Sequence, residues 1–213
     1  MRANTHIGQR LRALSPFGWV MAGIVAASAL AGLVLIGEGV FIKAKAALAQ
    51  VLLDDAFERS KRDGMPVRAW PWADTWPVAR LTVPRLKRSA IVLSGGNGEA
   101  LAFGPGHLLN TAEVGEDGTA VFAAHRDTHF AFLADVRPDD VIEVERGDGH
   151  RFRYRVTGSR VVKWNASGID AAAEGSHLAL STCWPIGALG PGDERLVVDA
   201  ELDPTVTATV ANP

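Results

Sequence analysis

Hydrophobic and polar positions divide this chain into three stretches with different periods. From Phe17 to Ile36 the residues FGWVMAGIVAASALAGLVLI form a run of twenty without a charge. At about 1.5 Å of rise per residue such a run covers about 30 Å, enough to cross the hydrocarbon core of a bilayer. The pattern predicts a transmembrane anchor over residues 17–37, with Trp19 suited to one membrane interface. ALAQ at 47–50 resembles the cleavage site of a signal peptide. A signal core is typically about 7–15 residues long, however, and Glu38, Lys43 and Lys45 stand before that site, so an uncleaved anchor is expected.

The second stretch has a helical period. Phe41, Ala44, Leu48, Leu52 and Ala56 recur at helix spacing within residues 40–62, and Gly64 and Pro66 end the run. This predicts an amphipathic juxtamembrane helix. Residues 70–84, WPWADTWPVARLTVP, then crowd three tryptophans and three prolines into an irregular connector, expected to strap across an apolar surface.

From about residue 78 the period falls to two. VARLTV, AIVLSG, TAVFAAH, DVIEVERG, HRFRYRVTGSRVV, HLALSTC and ERLVVDAEL all read as strands, and RFRYRV alternates arginines with inward-facing apolar residues. An Asp-Gly pair at 148–149 marks a hairpin turn. Seven or eight strands with one short helix near residues 98–107 indicate an all-β sandwich or closed barrel. The expected organisation is a tail over 1–16, the anchor over 17–37, the juxtamembrane helix and connector over 38–77, the β-domain over 78–203, and a tail over 204–213.

Charge adds limits. A formal net charge of -2 with 22% charged residues gives no basic footprint for nucleic acid. Arg2, Arg10, Arg12 and the amino group precede the apolar run, and Lys43 and Lys45 follow it. That bias places the N-terminus, with His6, in the cytoplasm and the β-domain outside. One cysteine, Cys183, excludes an intrachain disulfide and any CxxC zinc site.

Two histidines, His125 and His129, have the spacing of the HExxH zinc motif. That motif needs a helix and a glutamate base, whereas TAVFAA before His125 is strand-like and Arg126 stands where the glutamate belongs, so no metal is expected there. Glu113, Glu116 and Asp117 read as a solvated loop rather than a calcium site, and His107, His150 and His177 read as solvated turn or strand-start residues. His125 and Cys183 each end a strand-like run, and Arg195 opens the next run twelve residues after the cysteine. If the strands lie side by side, a nucleophile, a general acid/base and an oxyanion stabiliser share one rim. Spacing alone also admits a tethered barrel that only binds a partner, with Cys183 inert in its core.

The combination of AAHRDTHFAFL (123–133), LALSTC (178–183) and Arg195 resembles the sortases, membrane-anchored cysteine transpeptidases. The family's TLxTC signature is matched at four of five positions by Ala179-Leu180-Ser181-Thr182-Cys183, and Ala124-His125 stands where many members have Gly-His. WPWADTWPVARL and LAFGPGHL are similar to the class from Gram-negative proteobacteria, and the likeness runs from about residue 15 to 202. A peptidoglycan LD-transpeptidase shares the Cys/His chemistry, but its SxGC-type signature is lacking. The resemblance implies an eight-stranded sortase-type β-barrel, Cys183 as nucleophile, His125 as general acid/base and Arg195 as oxyanion or substrate stabiliser. It further implies, as partners, a substrate protein with an LPxTG-like sorting signal and an amine acceptor. It calls for no cofactor and implies a single-pass inner-membrane location with the catalytic domain periplasmic.

Overall fold

A computed structural model of the protein describes residues 15–188, 190 and 192–204. Arg2, His6, Arg10 and Arg12, on which the expected orientation rests, lie outside the described residues, as do residues 205–213. The chain forms two compact units that divide between Ala47 and Leu48.

Helix α1 runs from Pro16 to Asp63, so the anchor and the juxtamembrane stretch are one element rather than two. Gly37 and Gly39 lie within it. A glycine costs a helix about 1 kcal/mol, too little to end one that carries no proline in its interior. The first unit holds the apolar part, long and apolar enough to cross a membrane, with Phe17, Trp19, Leu33 and Ile36 exposed. In the second unit the last turns of α1 bury Leu53, Ala56 and Phe57 against Ile91, Leu93 and Ala100.

The second unit is otherwise a closed barrel. Its strands are β1 (Pro77–Val83), β2 (Arg88–Ser94), β3 (Gly106–His107), β4 (Gly118–Ala124), β5 (Val141–Arg146), β6 (Arg151–Lys163), β7 (Ser176–Trp184) and β8 (Glu194–Leu202). Around the barrel the order is β1-β2-β3-β4-β7-β8-β6-β5, which returns to β1. A short helix α2, Gly98–Phe103, links β2 to β3 and is capped by the Asn97 side chain, which accepts from the Ala100 amide.

Alternation along each strand decides what fills the barrel. Tyr154 and Val156 of β6, Phe122 of β4, Leu178 and Leu180 of β7, and Leu196 and Val198 of β8 meet in one core. The outward residues Val121, Ala179 and Val197 are also buried, under Leu108, Val162 and Ile169. This double cover explains why the parallel pair β4 and β7 reads as almost continuous small apolar residues.

Two expectations need correction. β3 has only two residues, too few to show a period, and it completes the circle between β2 and β4. Its glycine is forced by close approach: a Cβ on Gly106 would lie 2.1 Å from the Gly95 carbonyl oxygen. His107, expected in solvent, is 5% exposed. Its ring bonds the Ala112 carbonyl oxygen at 2.9 Å and stacks edge-on against Phe122. Of the connector tryptophans, Trp70 packs edge-on against Phe103 and Trp76 is half-buried, whereas Trp72 is 77% exposed. The connector is thus strapped down at two of its three rings.

Candidate active site

Strand register brings the three candidate residues together. In the parallel pair of β4 with β7, Ala124 stands opposite Thr182, so His125, the first residue beyond β4, comes next to Cys183 in β7. In the antiparallel pair of β7 with β8, Cys183 is the partner of Arg195. Neighbouring strands lie about 4.8 Å apart, so the cysteine has the histidine on one side and the arginine on the other. Alternation settles the face. Ala124, Thr182 and Leu196 belong to the buried row, and His125, Cys183 and Arg195 form the next row, at the outer rim.

Cys183 is half-buried and lines an open cleft of ≈ 390 Å³ with His125, Arg126, Asp127, Gly187, Ala188, Gly190 and Gly192. An inert thiol inside the barrel would sit in the row below, where Thr182 is. A cavity of similar volume, ≈ 410 Å³, lies over β1, β5 and β6, but it is lined by ion-paired side chains such as Arg80 and Glu145 and holds neither cysteine nor histidine.

The frame beneath the row is tightly held. Thr182 is 2% exposed, and its hydroxyl donates to the Ala124 carbonyl oxygen at 2.8 Å, joining the ends of β4 and β7 just below His125 and Cys183. After His125 the chain makes a turn rather than an α-helix, so His125 and His129 do not share the helical face that a zinc motif requires. The turn is closed by the Phe130 amide donating to the His125 carbonyl oxygen at 3.1 Å, with Phe130 fully buried. Burial, and secondarily the nearby His125, holds the His129 imidazole below its ordinary pKa. Among the described residues, no group of three His, Cys, Asp or Glu side chains is placed to hold a metal ion.

Arg195 directs Nη1 to the carbonyl oxygens of Gly192 (3.0 Å) and Glu194 (2.8 Å), tying its own strand to the loop from β7. Among the described residues, the cleft-lining arginine is Arg126, which sequence reasoning passed over as a misplaced zinc-motif position. Its Nη2 donates to the carbonyl oxygens of Ala188 (2.8 Å) and Gly190. The available signal was an arginine directly after the candidate base, together with the glycine-rich GALGPG at 187–192.

A sortase-domain family model matches residues 81–203, more than half of the chain. The chain belongs to the sortase family. Sortase D of Bacillus subtilis (strain 168) is 26% identical to it over 119 residues, covering 55% of this chain and 60% of that protein. The solved sortase E of Streptomyces avermitilis is 32% identical with a TM-score of 0.51, covering 60% of this chain and 88% of that one. Sortase C-1 of Actinomyces oris is 29% identical with a TM-score of 0.54, covering 60% and 75%. These solved sortases share the fold of the closed barrel. This sortase thus spans less than two thirds of its curated relative, Sortase D.

Proposed function

We propose that this sortase is a membrane-anchored cysteine transpeptidase of the Gram-negative proteobacterial class. The observation that carries the proposal is the row His125, Cys183, Arg195 at the ends of three adjoining strands, with Cys183 lining an open cleft at the rim of a sortase-family barrel. The sulfur of Cys183 attacks the threonine carbonyl carbon of an LPxTG-like sorting signal. A thioester C–S bond forms and the threonine–glycine C–N bond breaks, while His125 as imidazolium gives its proton to the departing glycine amine. Arg195 steadies the oxyanion or the substrate backbone. Its Nη1 is engaged by the loop, and its Nε and Nη2 make no hydrogen bond to the described residues. An amine acceptor, or water, then attacks the thioester and restores the thiol.

The apolar length of α1 serves as a single-pass anchor in the inner membrane. The N-terminus lies in the cytoplasm and the barrel works on the periplasmic side. The segments WPWADTWPVARL and LAFGPGHL are what favour the Gram-negative class.

Cleavage of a quenched LPxTG-like peptide by the full chain in detergent tests the proposal. Wild type is expected to release the glycine-led fragment. Cys183→Ala is expected to lose cleavage by at least about a thousandfold, the scale seen when a nucleophile is removed, with an unchanged melting curve. Cleavage retained by Cys183→Ala would rule out the thiol.

A further inference from the structure

One guanidinium lines the cleft besides the row His125, Cys183 and Arg195, and its bonding is incomplete. Arg126 follows His125 directly and lines the cleft with Cys183. Its Nη2 holds two carbonyl oxygens of the loop between β7 and β8, those of Ala188 and Gly190. Its Nη1 is buried and has no hydrogen-bond partner among the described residues. A buried guanidinium donor without an acceptor is costly, and native interiors seldom leave one so.

Gly192 of the same loop stands beside that nitrogen. A Cβ on Gly192 would lie 3.6 Å from Nη1 and would collide with the Trp184 carbonyl oxygen at 2.5 Å. The Trp184 carbonyl therefore requires glycine at that position, next to the orphaned donor. Arg195 grips the same loop from the other side, at the Gly192 carbonyl.

We propose that Arg126 is a substrate-positioning residue. One nitrogen, Nη2, clamps the loop between β7 and β8 at its Ala188 and Gly190 carbonyls, and the other, Nη1, donates to a backbone carbonyl oxygen of the bound peptide. The planar fork of arginine serves loop and peptide together, which a lysine ammonium on a flexible stem does not. The peptide half of this role rests on the acyl-transfer function proposed above.

The test compares wild type, Arg126→Ala and Arg126→Lys as full chains in detergent, with melting curves as the control for folding. Amide hydrogen exchange of the loop is measured without substrate, and both variants are expected to exchange about tenfold faster there, the scale of one charge-assisted hydrogen bond. Acylation of Cys183 by an LPxTG-like peptide is followed against peptide concentration. Half-saturation is expected to rise about tenfold in both variants, with a smaller change in the maximal rate. Alkylation of Cys183 by iodoacetamide is expected to stay within about twofold of wild type, since the reagent needs no peptide contact. Unchanged loop exchange would overturn the clamp. Unchanged half-saturation, or alkylation slowed in parallel with acylation, would overturn the peptide contact. Should wild type accept no peptide at all, the acyl-transfer function and the peptide contact fall together, and loop exchange still decides the clamp.

Discussion

Thr182 shows how one side chain can serve both the barrel and the cleft. It belongs to the buried row, yet its hydroxyl reaches across to the carbonyl of Ala124, the residue before His125. Thr182→Val keeps the shape and removes the bond. The expected loss is about 1 kcal/mol of stability, measured as a shift in urea midpoint. Acylation of Cys183 is expected to fall about tenfold or more, because a small misplacement of a base is costly in rate. A variant that loses stability and keeps its full rate would show that the bond supports only the barrel. The shared rim position of Cys183, His125 and Arg195 was legible in the sequence because two of them end, and the third opens, a run whose alternation can be counted. Arg126 was not, because its role depends on carbonyl groups sixty residues onward, in a loop without a period.

Among the elements, the hairpin joining β5 and β6 is the clearest case of local chemistry setting structure. Asp148 and Gly149 make its turn, with Gly149 at φ +86°, a value that favours glycine. Burial alone would raise the Asp148 pKa. Hydrogen bonds from the Arg146 side chain and from the His150 amide and ring outweigh that and lower it to about 2. A carboxyl depressed in the folded state stabilises it above the unfolded pKa of 3.8, and the contribution is lost as pH falls toward about 2. Asp148→Asn is therefore expected to melt below wild type at pH near 7, with the gap closing as pH falls from about 4 to about 2. A gap that stays constant across that window would show that the carboxylate charge is not what matters. The seven longer strands and this turn could be read from alternation and turn residues. Strand β3 could not, since two residues carry no period and its place is set by the close approach of Gly106 to Gly95. The unbroken α1 was missed because the charge-free run and the helical period after it were read as separate stretches, a change of side-chain character that the backbone does not follow.

Taken whole, the molecule combines a long apolar helix with a sortase barrel whose rim carries Cys183 between the positions of His125 and Arg195. The fold follows from patterning, whereas the chemistry depends on two strand registers that only the assembled sheet fixes. A slip of one residue between β4 and β7, or between β7 and β8, would turn partners of Cys183 toward the opposite face. The central assignment is that Cys183 becomes acylated by a sorting-signal peptide. It is tested most directly by intact mass of the full chain after mixing with LPxTG-like peptides, followed by peptide mapping. The expected result is a covalent adduct equal to the acyl fragment ending in threonine, located on Cys183, removed by hydroxylamine, and missing from His125→Ala. A Cys183 that stays unmodified while the peptide is cleaved, or an adduct on another residue, would contradict it.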